Sequence, residues 1–285
     1  MSAPNGGLTV SDRQRELMLQ AAIAYDEAKS RISPAHSTLS ANRLIAALPQ
    51  PVLALLQFSR AVLAQGHVFF DAGDPIEEIY FPTSGLISLV ADMEKGNVVG
   101  AGMVGREGAV GIQSAVGRRY AFTRTIVQIP GSFYTVSAEA LRRVLQTSPE
   151  AQALVAHYTD VLLAEAQQLA ACNAIHPALV RLAGLLLQCA DRVGSDQFPL
   201  TQDFLAEMLG IRRTSVTPQA QDLQRRGVIK YRRGKIAIID RPALESCACE
   251  CYRTVKAYDE LTARGQRQAS GRAASESRAS FYSRR

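Results

Sequence analysis

The segment Leu200–Leu223, LTQDFLAEMLGIRRTSVTPQAQDL, constrains the fold more than any other stretch of the chain. Thr201 has a side chain suited to cap a helix N-terminus. Leu205, Met208 and Leu209 then recur at the spacing of one helical face. Gly210 follows where a tight turn needs a positive φ, and Ile211 is placed to pack back. A second helix is expected from about Arg213, with Val216, Ala220 and Leu223 facing inward. Ala206 is small, as two closely crossing helices require. After Gly227, two β-rich runs, Val228–Tyr231 and Ile236–Ile239, flank RRGK and read as a β-hairpin.

The outward face of the second helix carries Arg213, Thr214, Thr217 and Gln221. Arginine can bond guanine in two places, and glutamine can do the same for adenine. Arg212 and Ser215 are better placed for phosphates. Lys230, Arg232, Arg233 and Lys235 would lay the hairpin on a phosphate backbone, where contacts position a protein without specifying sequence. Thr201 joins this group as a candidate contact at the start of the first helix. The charge distribution agrees. Arg212–Arg241 holds nine Lys/Arg against two Asp/Glu, and Arg264–Arg285 holds six Arg against one Glu, in a chain of net charge +6. The remainder is therefore acidic, and a localised basic third points to a polyanion. The alternative is a helical hairpin with a solvated basic face. Pro218 departs from the pattern, because inside the second helix it removes a hydrogen bond and is expected to bend it.

Upstream, the texture changes twice. Residues 1–40 read as an N-terminal extension with a helix capped by Ser11 and running to about Arg31. A second short helix is expected over Ala41–Gln57. From Val62 to Val136, short β-rich runs alternate with turn signals such as DAGDP, EKGN and IPGS, the pattern of a small β-barrel or roll. The expected strands are Val68–Phe70, Ile79–Phe81, Leu86–Val90, Asn97–Gly100, Thr125–Ile129 and Phe133–Val136. Ser137 starts a short helix with Leu141, Val144 and Leu145. Pro149 opens a long one to His176, whose stripe of Leu154, Tyr158, Val161, Leu162, Leu169 and Cys172 steps by three and four. That stripe packs on its own β-domain or on a symmetry mate, and the helix length favours a dimer seam. Pro177 marks a hinge. The fold class is α+β, divided as 1–40 extension, 41–148 β-roll (jelly-roll-like), 149–176 long dimerisation helix, 177–262 winged helix-turn-helix, and 263–285 a disordered basic tail.

Bulk properties exclude several classes. A length of 285 residues allows two domains with proper cores. No apolar run approaches the roughly 20 residues of a membrane span, and the N-terminus lacks the apolar stretch of a signal peptide. Five cysteines without a disulfide framework fit a reducing compartment, so a cytoplasmic location and no membrane partner are expected. No G-x-S-x-G, P-loop, H-E-x-x-H or dinucleotide fingerprint is present, and no catalysis is expected. The run Cys247, Cys249, Cys251 lacks the two-residue gaps of usual metal pairs. If helical, only Cys247 and Cys251 share a face. It reads as packing or inert surface, with no metal, and His176 reads as capping or orienting the hinge.

In this order, a β-roll, a long connecting helix and a winged helix-turn-helix resemble the Crp/Fnr family of bacterial transcription regulators. The resemblance spans about Leu44–Tyr252 and rests on IYFPTSGLISLV, VGREGAVG, CNAIH, RLAGLLLQCADR, LTQDFLAEMLGIRRTSV and YRRGKIAIIDR. It implies a homodimer on a two-fold symmetric DNA site, with half-sites about one helical turn apart. It also implies RNA polymerase as a further partner and a sensor role for the β-roll. Base-reading positions fall on Arg213, Thr214 and Pro218, and a proline cannot donate. In cyclic-nucleotide-binding relatives a glycine-flanked Glu takes the ribose, and an Arg followed by Ser or Thr takes the cyclic phosphate. Arg124 and Thr125 match the second pair. The Glu position reads Ala109, with Glu107, Gly108 and Gly111 around it, so cyclic-nucleotide binding is disfavoured and Arg124 is expected in a structural salt bridge. Relatives with an iron–sulfur cluster use N-terminal cysteines, and this chain has none before Cys172. The competing reading is a ligand-binding regulatory module that acts through protein partners rather than DNA.

Overall fold

Seven short strands, cut by the turns read above, form two antiparallel sheets in the first domain. They are β1 (Ser59–Leu63), β2 (Val68–Phe70), β3 (Glu78–Pro82), β4 (Leu86–Asp92), β5 (Val98–Val104), β6 (Arg124–Ile129) and β7 (Gly131–Ser137). One sheet has the order β1-β7-β3 and the other β2-β6-β4-β5. These come from a computed structural model that describes residues 39–94 and 96–258. The helix read over Ser11–Arg31 and the tail from 263 lie outside the described residues.

Strand periodicity places the core. Tyr80 and Phe133 point between the sheets with Phe70, Ile87, Val104 and Val127. Their neighbours Ile79, Phe81, Tyr134 and Val136 point the other way, into a cluster closed by helices. Those helices are α1 (Arg43–Ala47), α2 (Gln50–Leu55), α4 (Ala138–Leu145) and the start of α5 (Pro149–Ile175), with the short α3 (Gln113–Val116) beside them. The single helix expected over Ala41–Gln57 is in fact two. Leu48 precedes Pro49 and is extended, with φ −67° and ψ 140°, because the proline ring crowds the helical conformation of the residue before it. Strand β1 and helix α3 were not read from the sequence.

Ser148 caps α5, accepting from the Ala151 amide, and Pro149 occupies its first turn. Its 27 residues span about 40 Å. The second domain follows as α6 (Ala178–Val193), β8 (Gln197–Pro199), α7 (Gln202–Leu209), α8 (Arg213–Arg225), β9 (Ile229–Arg232), β10 (Lys235–Ile238) and α9 (Arg241–Cys247). Residues 251–258 are again helical. Its sheet has the order β8-β10-β9, one strand more than the expected hairpin.

The two domains share a core. Leu86, Met103 and Ile129 of the β-roll belong to the same buried cluster as Leu182, Phe204 and Met208. A Cβ on Gly100 in β5 would lie 2.8 Å from the Met208 Cα of α7, so the glycine permits that approach. Arg192 of α6 is buried, and it donates to the Met103 carbonyl and to Glu165 of α5, and it pairs with Glu107 at 3.2 Å. Among the described residues no helix is long and apolar enough to cross a membrane.

Candidate functional site

The α7–α8 pair is built as its sequence requires. Thr201 Oγ1 accepts from the Phe204 amide at 3.1 Å and caps α7. Gly210 sits at φ 60°, ψ 35°, the left-handed conformation that lets the chain turn without a Cβ clash. Val216, Ala220 and Leu223 are buried on the inner face of α8. Arg212, Arg213, Thr214 and Gln221 are exposed on the outer face, with Ser215 and Thr217 half-buried beside them. Pro218 does not end α8, which runs unbroken through it to Arg225. The proline is exposed, so its ring faces solvent and the core is untouched.

The hairpin β9–β10 turns through Arg233 at φ 50° and Gly234 at φ 72°, two successive left-handed residues, as two-residue hairpin turns favour. Arg232, Arg233, Lys230 and Lys235 are exposed there. Two contacts missed from the sequence hold this wing in place. The Tyr231 amide donates to Gln224 Oε1 of α8 at 2.9 Å, and the Tyr231 hydroxyl donates to the Leu200 carbonyl at 3.3 Å. Thr201, Arg213, Thr217, Gln221 and Arg233 converge on one concavity of about 470 Å³ between α7, α8 and the wing.

Not all of the basic window is available to a polyanion. Arg225 and Arg226 both pair with Asp222. Arg241 is tied to Asp191, Asp196 and Glu245. Arg213 pairs with Asp203 at 3.1 Å, both side chains being largely exposed, so an incoming anion exchanges one partner for another. Arg212, Lys230, Arg232, Arg233 and Lys235 carry no ion pair among the described residues.

The β-roll differs from the nucleotide pattern. Thr125 is buried and lines a groove of about 1400 Å³ between the β-roll, α5 and the second domain. Arg124, its neighbour on β6, lies outside that lining. Its guanidinium is 2.6 Å from Asp71 and 3.4 Å from Asp92, and the hydrogen bond to Asp71 leads in raising its pKa. Glu107 and Gly111 line the groove and Gly108 does not. The Glu107 carboxylate accepts from the Gly105 amide and pairs with Arg192.

The stripe on α5 needs correction. Tyr158 and Val161 were expected at a dimer seam, but both are buried within this chain. The Tyr158 hydroxyl accepts from the Ala109 amide at 3.0 Å and donates to the Ala109 carbonyl at 3.2 Å. Burial first, then the charge of Glu107, raises its pKa well above the usual value. Leu154 and Leu162 pack at the edge of the β-domain core, half-buried, and with Leu169 they line the groove. Leu163, not part of the expected stripe, is 56% exposed.

Of the two readings of the cysteine run, packing or inert surface, packing holds for Cys249 and Cys251, which are buried against Cys172 near the end of α5, with His176 beside them. Cys247 is the member left out of the group. Residues this far apart in the chain give no spacing signal.

Two family models match: a cyclic nucleotide-binding domain over residues 60–148 and a Crp-like helix-turn-helix domain over 180–247, together more than half of the chain. The chain is 23% identical to a global nitrogen regulator from a Nostoc species over 181 residues, 60% of this chain and 80% of that protein. Its fold is similar to that of FixK2 from Bradyrhizobium japonicum, with a TM-score of 0.61 at 14% identity, covering 67% of this chain and 98% of that one. It is also similar to a Crp-family transcriptional regulator from Thermus thermophilus, with a TM-score of 0.56 at 20% identity, covering 66% and 96%. With both domains present, in the same order and joined by the same long helix, the chain belongs to the Crp/Fnr family of transcription regulators.

Proposed function

We propose that this regulator is a non-enzymatic homodimer that reads a two-fold symmetric duplex site. Arg213, Thr214, Thr217 and Gln221 would face base edges. Arg212, Ser215, Lys230, Arg232, Arg233 and Lys235 would neutralise phosphates, with Thr201 at the edge of the contact. The carrying observation is the single concavity that gathers Thr201, Arg213, Thr217, Gln221 and Arg233 from three elements. The half-buried leucines along the groove, with exposed Leu163, fit the same helix from a second copy, which supports the dimer. The β-roll serves as the sensor without a cyclic nucleotide, because Ala109 stands in place of the ribose-binding Glu and Arg124, paired with Asp71 and Asp92, lies outside the groove lining.

Selection from random duplexes, followed by fluorescence anisotropy on the winning sequence, tests this reading. Arg213→Ala should weaken binding by about 5- to 150-fold, the worth of one bidentate base contact, and relax specificity at one position of each half-site. Lys235→Ala should weaken all sequences alike and reduce the salt slope by about one. Unchanged affinity in both variants would sink DNA reading and leave the protein-partner alternative.

A further inference from the structure

The thiols of Cys172, Cys249 and Cys251 and the imidazole of His176 place their donor atoms all within 4.8 Å of one another. Cys172 Sγ is 3.6 Å from Cys249 Sγ, and Cys251 Sγ is 3.4 Å from His176 Nδ1. From these four side chains we infer a closed metal site for one zinc ion. The distances decide the chemistry. A tetrahedral ion with Zn–S near 2.3 Å and Zn–N near 2.0–2.1 Å sets sulfur–sulfur edges of about 3.8 Å and sulfur–nitrogen edges of about 3.6 Å. The Cys172–Cys249 and Cys251–His176 edges match within a few tenths of an ångström, and the other edges stay within 4.8 Å. A disulfide needs about 2.05 Å, and all five cysteines are free.

The surrounding groups orient the donors. His176 Nε2 faces Glu250 Oε1 at 3.3 Å, so a proton on Nε2 leaves the Nδ1 lone pair aimed at the thiols. Metal-bound histidines are held by such carboxylates. Gln168 Nε2 donates toward Cys251 Sγ at 3.0 Å, which stabilises a thiolate. Three thiolates and one imidazole form a borderline-soft tetrahedral set, suited to zinc rather than to oxygen-preferring calcium or magnesium. Four protein donors leave no open position, so the role is structural. Loading releases the three thiol protons to solvent, with no change of oxidation state.

The location gives the site its purpose. Cys172 and His176 stand one turn apart at the C-terminal end of α5, the His176 amide donating to the Cys172 carbonyl at 3.0 Å. Cys249 and Cys251 follow α9, 77 residues beyond Cys172 in the case of Cys249. The ion would close that loop and staple the long helix to the far end of the winged domain. None of this depends on what the winged domain binds.

The test uses the full chain without a histidine tag, purified under reducing conditions, with metal content measured by plasma mass spectrometry. About one zinc per chain is expected. Cys249→Ser and His176→Ala should lose it, and Cys247→Ser should keep it. A second measurement needs no variant. Zinc added to the reduced, chelator-stripped chain should shield three thiols from alkylation, mapped by peptide mass spectrometry to Cys172, Cys249 and Cys251. Cobalt in place of zinc should show thiolate charge-transfer and tetrahedral ligand-field bands. If zinc protects none of these thiols and cobalt gives no such bands, the inference is wrong. Iron with sulfide in place of zinc would equally overturn the single-ion assignment.

Discussion

Removing the Arg192 guanidinium should be among the most damaging single changes in the protein. Arg192 is 8% exposed, and it stands where three parts of the chain meet. Its Nη2 donates to both carboxylate oxygens of Glu165 on α5, at 2.7 and 2.9 Å. Its Nε donates to the Met103 carbonyl of β5 and lies 3.2 Å from Glu107. Burial alone would lower its pKa, but the charges of Glu165 and Glu107 more than offset this, so the value is raised and the group stays charged. In Arg192→Met the side chain still fills space, but two carboxylates lose their shared cation. Glu107 Oε2 is already buried without a hydrogen-bond partner. Breaking one side of a buried ion pair costs about 3–5 kcal/mol. For a chain of this size that is a fall in melting temperature on the order of 6–20 °C. Calorimetry and urea unfolding should show this loss. They should also show the unfolding of the two domains further apart than in the parent, since Arg192 links them. The triple variant Arg192→Met, Glu107→Gln, Glu165→Gln should recover most of the loss, because no uncompensated charge remains. Unfolding of Arg192→Met within about 0.5 kcal/mol of the parent, the range of an ordinary surface change, would refute the reasoning.

Gly100→Val should force β5 and α7 apart, since its Cβ meets the backbone of Met208 as well as the flexible thioether. A loss of about 1–3 kcal/mol and faster proteolysis between the domains are expected, read by urea titration and limited trypsin digestion. Tyr158→Phe should cost about 1–3 kcal/mol, because the Ala109 amide and carbonyl lose their buried partner; retained stability would mean that water replaces the hydroxyl. Burial first, then Asp203 and Asp92, raises the pKa of Glu207 above its usual 4.5. The folded chain therefore holds this proton more tightly than the unfolded chain. That stabilisation is complete below the unfolded value and is lost as pH rises through the folded one. Glu207→Gln should thus stabilise at neutral pH by less than about 1 kcal/mol, the side chain being partly exposed. The gain should vanish below about pH 4, and thermal melts across that range would show Glu207→Gln destabilised at neutral pH if the sign is wrong.

The helix-turn-helix was legible because its determinants are local. Leu205, Met208, Leu209, Gly210, Val216, Ala220 and Leu223 lie within two turns of one another on each helix, and periodicity alone places them. The strands flanked by clear turn residues were legible for the same reason. Strand β1, five residues between a helix and Gly66, carries no turn signal at its start and was missed. On α5 the periodicity of Tyr158 was right and its partner wrong, since an apolar stripe cannot say which surface covers it. The seam assignment leaned on helix length, whereas Gly108 leaves room for the Tyr158 ring and a Cβ there would lie 2.0 Å from the hydroxyl. The Arg192 cluster and the Cys172–His176–Cys249–Cys251 group were illegible because their members meet only after both domains have folded. Nothing in the spacing of Cys247, Cys249 and Cys251 points to Cys172, near the end of α5 and 77 residues before Cys249.

Those long-range contacts bear on how the β-roll could influence DNA. The loop from Gly105 to Gly111 supplies Glu107 to Arg192 on α6, and its Ala109 holds Tyr158 on α5. Arg181, also on α6, donates to the Leu209 carbonyl at the end of α7, one residue before the turn that sets α8. A ligand in the groove that displaced Glu107 or shifted α5 would therefore act on α6 before anything else, and α6 carries the helix-turn-helix with it. The decisive quantity is whether Glu107→Gln and Arg213→Ala change operator affinity by more than the sum of their separate effects. Residues this far apart and without shared partners ordinarily add within about 0.5 kcal/mol. An excess beyond that would locate the transmission in α6, and simple additivity would move it to the α7–β5 contact at Gly100 and Met208 instead.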